Sequence, residues 1–372
     1  MTALLEVEDL TVRFYTEEGV VTAVDGLSYR IEAGETFGVV GESGAGKSVA
    51  ALSVLGLIDD PGRIERGEVR FKGEDLRSMT DAELRSVRGD EIAMVFQDAR
   101  AALNPVYTVG EQIAETIEHH MGYDPAAARD RAVRLLDRVG IPEAGTRYSD
   151  YPHEFSGGMC QRATVAMALS CEPDLIVADE PTTALDVTVE ARVLDLLADL
   201  ADEFDVAVQL ITHDLGVIAG TCDRAMVMYA GEAVERAPIE ELYYDPKHPY
   251  TAGLMSAIPH VGDDRDRLQT IPGTMPDLID VPSGCRFHPR CPFAEEACTR
   301  TDPALVDPEN GEAATLETER AAACLEYTEG LTGGLDYSVE VDGETNERAE
   351  DDDGGEDDDG REDEGEEGGS DE

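Results

Sequence analysis

The segment GESGAGKS, Gly41 to Ser48, sets glycines, a lysine and a serine at the spacing G-x-x-x-x-G-K-S. Backbone N–H groups of such a loop can curl around a phosphate, with Lys47 reaching the outer phosphates of a nucleoside triphosphate and the Ser48 hydroxyl on Mg²⁺. A second stretch, LIVADE from Leu175 to Glu180, reads as a strand ending in two carboxylates. Asp179 is placed to complete a Mg²⁺ shell, and Glu180 to orient and polarise a water for in-line attack on the terminal phosphate. Alone, such a pair would be a helix cap in so acidic a chain. Together with the upstream loop it reads as the second half of a nucleotide site.

A separate group of residues is built on sulfur. Cys285, Cys291, Cys298 and Cys324 follow one another with 5, 6 and 25 residues between them. Four thiolates form the tetrahedral sulfur set suited to zinc or to an iron-sulfur cluster, and a partly buried set without metal is the alternative. His288, between two of these cysteines, reads as a surface or capping residue. Cys160, Cys171 and Cys222 are scattered elsewhere, and the odd total of seven fits a reducing compartment better than paired bridges.

The elements that must carry these groups follow from periodicity. TFGVVG reads as a buried strand entering the glycine-rich loop, and KSVAALSVLGLI as the helix leaving it. Strand-like alternation marks LLEVEDLTVRFYT and VVTAVDGLSYRIEAGE, with Gly19 between them. GEVRFKG and EIAMVFQ add two further strands. From Val109 to Gly140 the apolar spacing is helical, with a break near Gly122 to Pro125, and GGMCQRATVAMALS is again helical. PDLIVADE and FDVAVQLITHD are continuous apolar strands of the parallel-sheet kind, and RAMVMYAGEAVE predicts a hairpin turning at Ala230 and Gly231. The expected organisation is an α/β domain over residues 1–245 with a helical subdomain at about 105–170. A proline-rich irregular domain over 246–330 follows, then an acidic tail, 331–372, with too little to bury to fold.

The chain holds 82 acidic and 29 basic residues, a net charge of −53, of which Glu347–Glu372 contributes −14. Acidity is therefore a property of the folded part as well. With lysine at only three positions, Lys47, Lys72 and Lys247, this is the composition of an extreme halophile, whose dense carboxylate surface is tolerated because concentrated salt screens it. Nonspecific nucleic-acid binding is disfavoured, since phosphate-binding surfaces need a positive field. The opening MTALLEVEDL lacks a basic start and an apolar run, and no apolar stretch approaches the roughly 20 residues that cross a bilayer. A cytoplasmic protein without a leader is expected.

Further motifs in order carry a resemblance. FSGGMCQR, Phe155 to Arg162, resembles the signature motif of ATP-binding cassette (ABC) ATPases, Gln97 in MVFQD their Q-loop glutamine, TTALD through Asp186 their D-loop, and His213 in ITHD their switch histidine. The resemblance implies a P-loop NTPase of ABC type. Gly41, Ser43, Gly44, Ala45, Gly46, Lys47, Ser48 and Val49 would contact nucleotide, Phe14 (or Tyr15) would stack on adenine, and Gln97 would join Ser48 and Asp179 at Mg²⁺. Glu180, His213 and Gln97 would serve hydrolysis. Ser156, Gly157 and Gly158 would close on ATP held by a second ATPase subunit, and Asp186 would also contribute to nucleotide binding. Cys160 departs from the family pattern, which usually has a charged or polar residue there.

HPYTAGLMSAIP, IPGTMPDL and PSGCRFHPRCPFAEEAC, within residues 248–298, resemble the C-terminal region of ATPases that drive dipeptide and oligopeptide uptake, a group that includes some nickel importers. That implies two transmembrane permeases, a second ATPase subunit, an extracellular solute-binding protein and a peripheral position on the cytoplasmic face of the membrane. It also implies a [4Fe-4S] cluster on Cys285, Cys291, Cys298 and Cys324, with zinc as the alternative. Nickel import is the nearest alternative function. A noncatalytic regulatory cassette is another, opposed by intact Lys47, Asp179, Glu180 and His213.

Overall fold

A computed structural model describes residues 3–182, 187–257, 271–328, 330–335, 337–341 and 344–347. The first strands are β1 (Leu5–Tyr15), β2 (Val20–Ile31) and β3 (Thr36–Val40), followed by helix α1 (Lys47–Val54), β4 (Gly62–Phe71), β5 (Glu74–Asp75) and α2 (Asp81–Val87). Next come β6 (Ile92–Val95), α3 (Ala99–Ala102), α4 (Val109–Met121), α5 (Pro125–Arg138), α6 (Ala144–Arg147) and α7 (Gly157–Ala168). The second half holds β7 (Leu175–Asp179), α8 (Val187–Phe204), β8 (Ala207–Thr212), α9 (Leu215–Thr221), β9 (Arg224–Tyr229) and β10 (Glu232–Pro238). Helices α10 (Ile239–Tyr244) and α11 (Pro249–Met255) precede a long stretch of turns, and β11 (Ala321–Ala322), β12 (Ser338–Val341) and β13 (Glu344–Glu347) close the described chain.

Two sheets organise these elements. β1, β2, β4 and β5 form an antiparallel sheet in the order β2-β1-β4-β5. The main sheet runs β11-β10-β9-β3-β8-β7-β6, parallel from β9 to β6, with β10 and β11 added antiparallel at one edge. Strands β3, β7 and β8 are apolar on both faces because both are covered. Val39, Val177 and Ile211 meet α1 and the antiparallel sheet, whereas Val40, Ala178 and Leu210 meet the opposite core of α4, α5, α7 and α8. Apolar groups buried on either side supply the main favourable term for this sandwich.

Local chemistry sets the helical subdomain. Thr108 and Glu111 form a reciprocal capping box at the start of α4, Gly122 ends it at φ 67°, and Asp124 with Pro125 starts α5. The break expected at Gly122 to Pro125 is this cap-to-cap junction. The hairpin at Ala230 and Gly231 forms as expected, both residues having positive φ.

Part of the stretch expected to lack structure pairs instead: β12 and β13 form an antiparallel hairpin, and residues 348–372 of the acidic tail lie outside the described residues. Among the described residues, no helix is long and apolar enough to cross a membrane.

Candidate functional site

Strands β3, β8, β7 and β6 are neighbours and parallel, so their C-terminal ends open on one edge of the sheet. Each delivers one part of the site to that edge, the usual place for ligands in open α/β sheets. β3 leads into Gly41, β6 stops two residues before Gln97, β7 ends at Asp179 with Glu180 next, and β8 ends one residue before His213.

The loop from Gly41 to Ser48 wraps tightly onto the fold. A Cβ on Gly41 would stand 2.2 Å from the Met228 carbonyl oxygen, and one on Gly46, at φ 101°, would stand 2.1 Å from that of Ala23. Both glycines are therefore required by close backbone approach. Ser43 and Gly44 at the crest are exposed, Ala45 is buried beneath them, and Val49 packs in the first turn of α1. Lys47 is 4 % exposed and donates through Nζ to the carbonyls of Gly41 (2.7 Å) and Glu42 (3.0 Å). Burial pulls its ammonium below the usual lysine range, opposed by Glu180, Asp179 and Glu42.

Ser48 Oγ donates to Asp179 Oδ1 at 3.0 Å, which brings the loop serine and the first carboxylate into one oxygen pair. Burial raises the Asp179 carboxyl, partly offset by that hydrogen bond. Glu180 sits at φ 43°, in the left-handed region that costs a non-glycine residue of order 1–3 kcal/mol. Its N–H bonds the Ile211 carbonyl at 2.9 Å, so the strained residue is pinned to β8. One carboxylate oxygen accepts from Gln97 Nε2 at 2.7 Å, and the other lies 3.6 Å from His213 Nδ1. Gln97, Glu180 and His213, separate in sequence, thus form one polar cluster.

Other sequence-predicted residues stand apart. Phe14 is half-buried near the end of β1 and packs towards Gly62, whereas Tyr15 is exposed and donates to Glu65. Ser156 caps α7, its Oγ accepting from the Met159 N–H at 3.3 Å, with Gly157 and Gly158 in the first turn. Asp186 lies outside the described residues. Cys160 is buried at 0 % exposure with its thiol on the Pro152 carbonyl, so it is a core residue and does not replace a surface charge.

Cys285, Cys291, Cys298 and Cys324 line one small, largely apolar cavity together with Phe287 and His288. All seven cysteines are free of disulfides. Burial pushes the thiols of Cys285 to about 12 and of Cys291 and Cys324 to about 11, while backbone N–H groups of Phe287, His288, Phe293 and Glu326 favour the thiolates. Among the described residues, no three His, Cys, Asp or Glu groups stand at metal-ligand spacing. The gathering of thiols is present, and the tight ligand geometry expected of a cluster is not. His288 Nδ1 lies 2.8 Å from the Cys285 carbonyl, to which it donates in its Nδ1–H tautomer, in keeping with a capping role.

Sequence reasoning passed over Glu42, Arg290, Tyr250, Arg286, Glu235 and His248. Arg286 reaches Asp25, Glu232 and the Ala230 carbonyl, and Arg290 reaches Glu42, so the turn-rich region is bolted to the nucleotide edge. Glu235 is fully buried and accepts the N–H groups of Lys247 and His248 at 2.6 and 2.8 Å, fixing the entry to α11. Glu42 lies inside the phosphate-loop segment and His248 and Tyr250 inside the HPYT segment, while Arg286 and Arg290 are signalled as arginines beside cysteines in a very acidic chain.

A parallel sheet with a phosphate loop, two carboxylates, a glutamine and a histidine on one edge, beside a helical subdomain, defines an ABC ATPase. The chain matches the ABC transporter family over residues 24–183 and the oligopeptide/dipeptide transporter C-terminal region over 234–298. It is 51 % identical over 298 residues to the oligopeptide transport ATP-binding protein OppD of Haemophilus influenzae, covering 80 % of this chain and 92 % of that one. It is 46 % identical over 303 residues to the dipeptide transport ATP-binding protein DppD of Escherichia coli K12, covering 82 % and 93 %. A solved dimer of the ATP-binding cassette MJ0796 with ADP and Pi superposes with a TM-score of 0.57 at 27 % identity, covering 63 % of this chain and 98 % of that one. The protein belongs to the family of ATP-binding subunits of oligopeptide and dipeptide ABC transporters, and it is an ATPase.

Proposed function

We propose that this chain hydrolyses ATP to power uptake of dipeptides or oligopeptides through a membrane importer, as the catalytic half-site of a pair of ATPase subunits. The observation that carries the reading is the convergence of Lys47, Ser48, Asp179, Glu180, Gln97 and His213 at four adjacent strand ends, in a chain with a peptide-transporter C-terminal region.

In this reading, residues 1–245 do the chemistry. The loop N–H groups from Gly41 to Val49 cradle the phosphates, and Lys47 leaves the carbonyls of Gly41 and Glu42 for the β- and γ-phosphates. Phe14 stacks on adenine. Ser48, Asp179 and Gln97 are an oxygen donor set of the kind a hard divalent cation takes, and Mg²⁺ there would neutralise phosphate charge. Glu180, held by Gln97, orients the attacking water and takes up its proton as the oxygen bonds to the γ-phosphorus and the bond to the ADP leaving oxygen breaks, and His213 contacts the γ-phosphate. Ser156, Gly157 and Gly158 at the start of α7, with Asp186, act across the subunit interface on the partner's ATP. ATP binding then closes the pair and product release reopens it, which biases two permeases between their access states.

Residues 246–330 mark the peptide-transport type. Four thiols bordering one space support a [4Fe-4S] cluster or zinc on Cys285, Cys291, Cys298 and Cys324, and binding would have to draw the four sulfurs closer together than they stand in this structure. The acid excess supports a chain suited to concentrated salt. A peripheral position on the cytoplasmic face follows from the permease partners, which receive substrate from an extracellular solute-binding protein.

Reconstitution with the permeases, the second ATPase and the binding protein in vesicles tests the function. Dipeptide- or oligopeptide-stimulated ATP turnover with peptide accumulation is expected. Stimulation by nickel alone would move the assignment to the nickel alternative, and absence of turnover would favour a regulatory cassette.

A further inference from the structure

Glu42 places a carboxylate at the second position of a loop that must receive a polyanion, and its side chain is 30 % exposed. Unscreened, it would oppose the negative charge of ATP. Arg290, whose side chain is only 6 % exposed, answers it: Nη1 lies 2.9 and 3.1 Å from the two oxygens of Glu42. The guanidinium is itself held in place, with Nε donating to the Pro272 carbonyl at 2.8 Å and the group lying 5.7 Å from the centre of the Tyr229 ring. The backbone of Glu42 is fixed separately, its N–H donating to the Tyr250 hydroxyl at 3.0 Å and its carbonyl accepting from Lys47. Tyr250 packs in turn on Tyr229 and Phe287, and the Phe287 carbonyl accepts the N–H groups of both Arg290 and Cys291. Three contacts to one loop residue thus come from two places, and all but that of Lys47 come from the C-terminal region.

We infer that Arg290 is a positioning and charge-compensating residue of the nucleotide site, by which the cysteine-bearing C-terminal region sets the phosphate loop for ATP. The inference rests on the reading that Gly41–Ser48 holds the phosphates. Arg290 touches neither substrate nor water in it. It neutralises Glu42 and holds it away from the phosphate path, so its loss weakens ATP binding and leaves the chemical step largely alone. Because the linkage passes through the turn that carries Cys291, a change in that turn would reach the loop by the same route.

The test is a fluorescent ATP analogue titrated onto the full purified chain, with KM and kcat measured in the assembled transporter and thermal unfolding as a check of fold. Arg290→Met is expected to raise Kd and KM about tenfold, within the range usual for coupling between sites, with kcat changed little. Arg290→Met combined with Glu42→Gln is expected to recover most of the lost affinity, because the uncompensated charge has gone. A merely structural arginine would show no such recovery. If Arg290→Met unfolds, Arg290→Lys against Arg290→Gln makes the same comparison, with affinity following the charge. Affinity within twofold of wild type in the charge-removing variants, or a double variant no better than Arg290→Met, overturns the inference. Lys47→Ala separates the two levels: if it binds the analogue normally, the phosphate-loop reading itself fails.

Discussion

Gln97 Nε2 donates to Glu180 Oε2 at 2.7 Å, tying the segment after β6 to the end of β7. The same carboxylate lies 3.6 Å from His213 Nδ1. A glutamine from the segment entering the helical subdomain therefore holds the group proposed to polarise water.

Glu180→Gln keeps the shape and the contact to Gln97 but cannot take up proton density from water. ATP turnover of the assembled complex is expected to fall about 10²–10⁴-fold with nucleotide binding retained. Gln97→Ala should lower kcat about ten- to hundredfold by loosening Glu180, with a smaller change in KM. Full turnover in Glu180→Gln would remove it from the mechanism.

The four-cysteine cavity predicts metal in protein prepared without oxygen. A brown sample containing iron and acid-labile sulfide is expected, and Cys298→Ser should lose both. A colourless sample with one zinc per chain would assign the site to zinc, and a sample free of either metal would leave the thiols as a buried, metal-free set.

Burial raises the Glu235 carboxyl from 4.5 to about 7. An acid raised in the folded state binds more protons there than in the unfolded chain, so its contribution to stability is full below about 4.5 and is lost as pH rises through about 7. Relative to Glu235→Gln, the wild type should lose on the order of 3 kcal/mol between those limits, read from denaturant midpoints at each pH. A difference between the two proteins that does not vary with pH would show that Glu235 is not buried as a proton-binding group.

The charge of −53 predicts stability that climbs with salt. Between about 0.1 M and 1 M KCl the screening length falls from about 10 to about 3 Å, so repulsion among surface carboxylates collapses. Thermal unfolding should move upward by several degrees over that range, and a flat response would remove the salt-adapted reading of the composition.

Much of the nucleotide edge was legible because its chemistry is local. A phosphate cradle needs consecutive N–H groups and glycines where the backbone passes close to Ala23 and Met228, so Gly41–Ser48 is written as one contiguous segment. The strand before it and the adjacent carboxylates after LIVA are likewise single runs. Cys160 shows the limit: a helical position where the family pattern has a charged or polar residue is wholly buried, since the face a helix turns inward depends on what packs on it. The hairpin of β12 and β13 lies in sequence with too few apolar residues to announce it.

By itself the sequence determined the fold class, the order of the motifs and the identity of the groups able to handle phosphate, because each is encoded in spacing over a few residues. Only the tertiary structure decided that Gln97, Glu180 and His213 share one cluster, that four cysteines spread over 40 positions line one cavity, and that Arg290 neutralises Glu42 from 248 residues away. Those relationships come from the order of strands in a sheet and from the route of a chain that returns to it, and no local pattern of residue types specifies either.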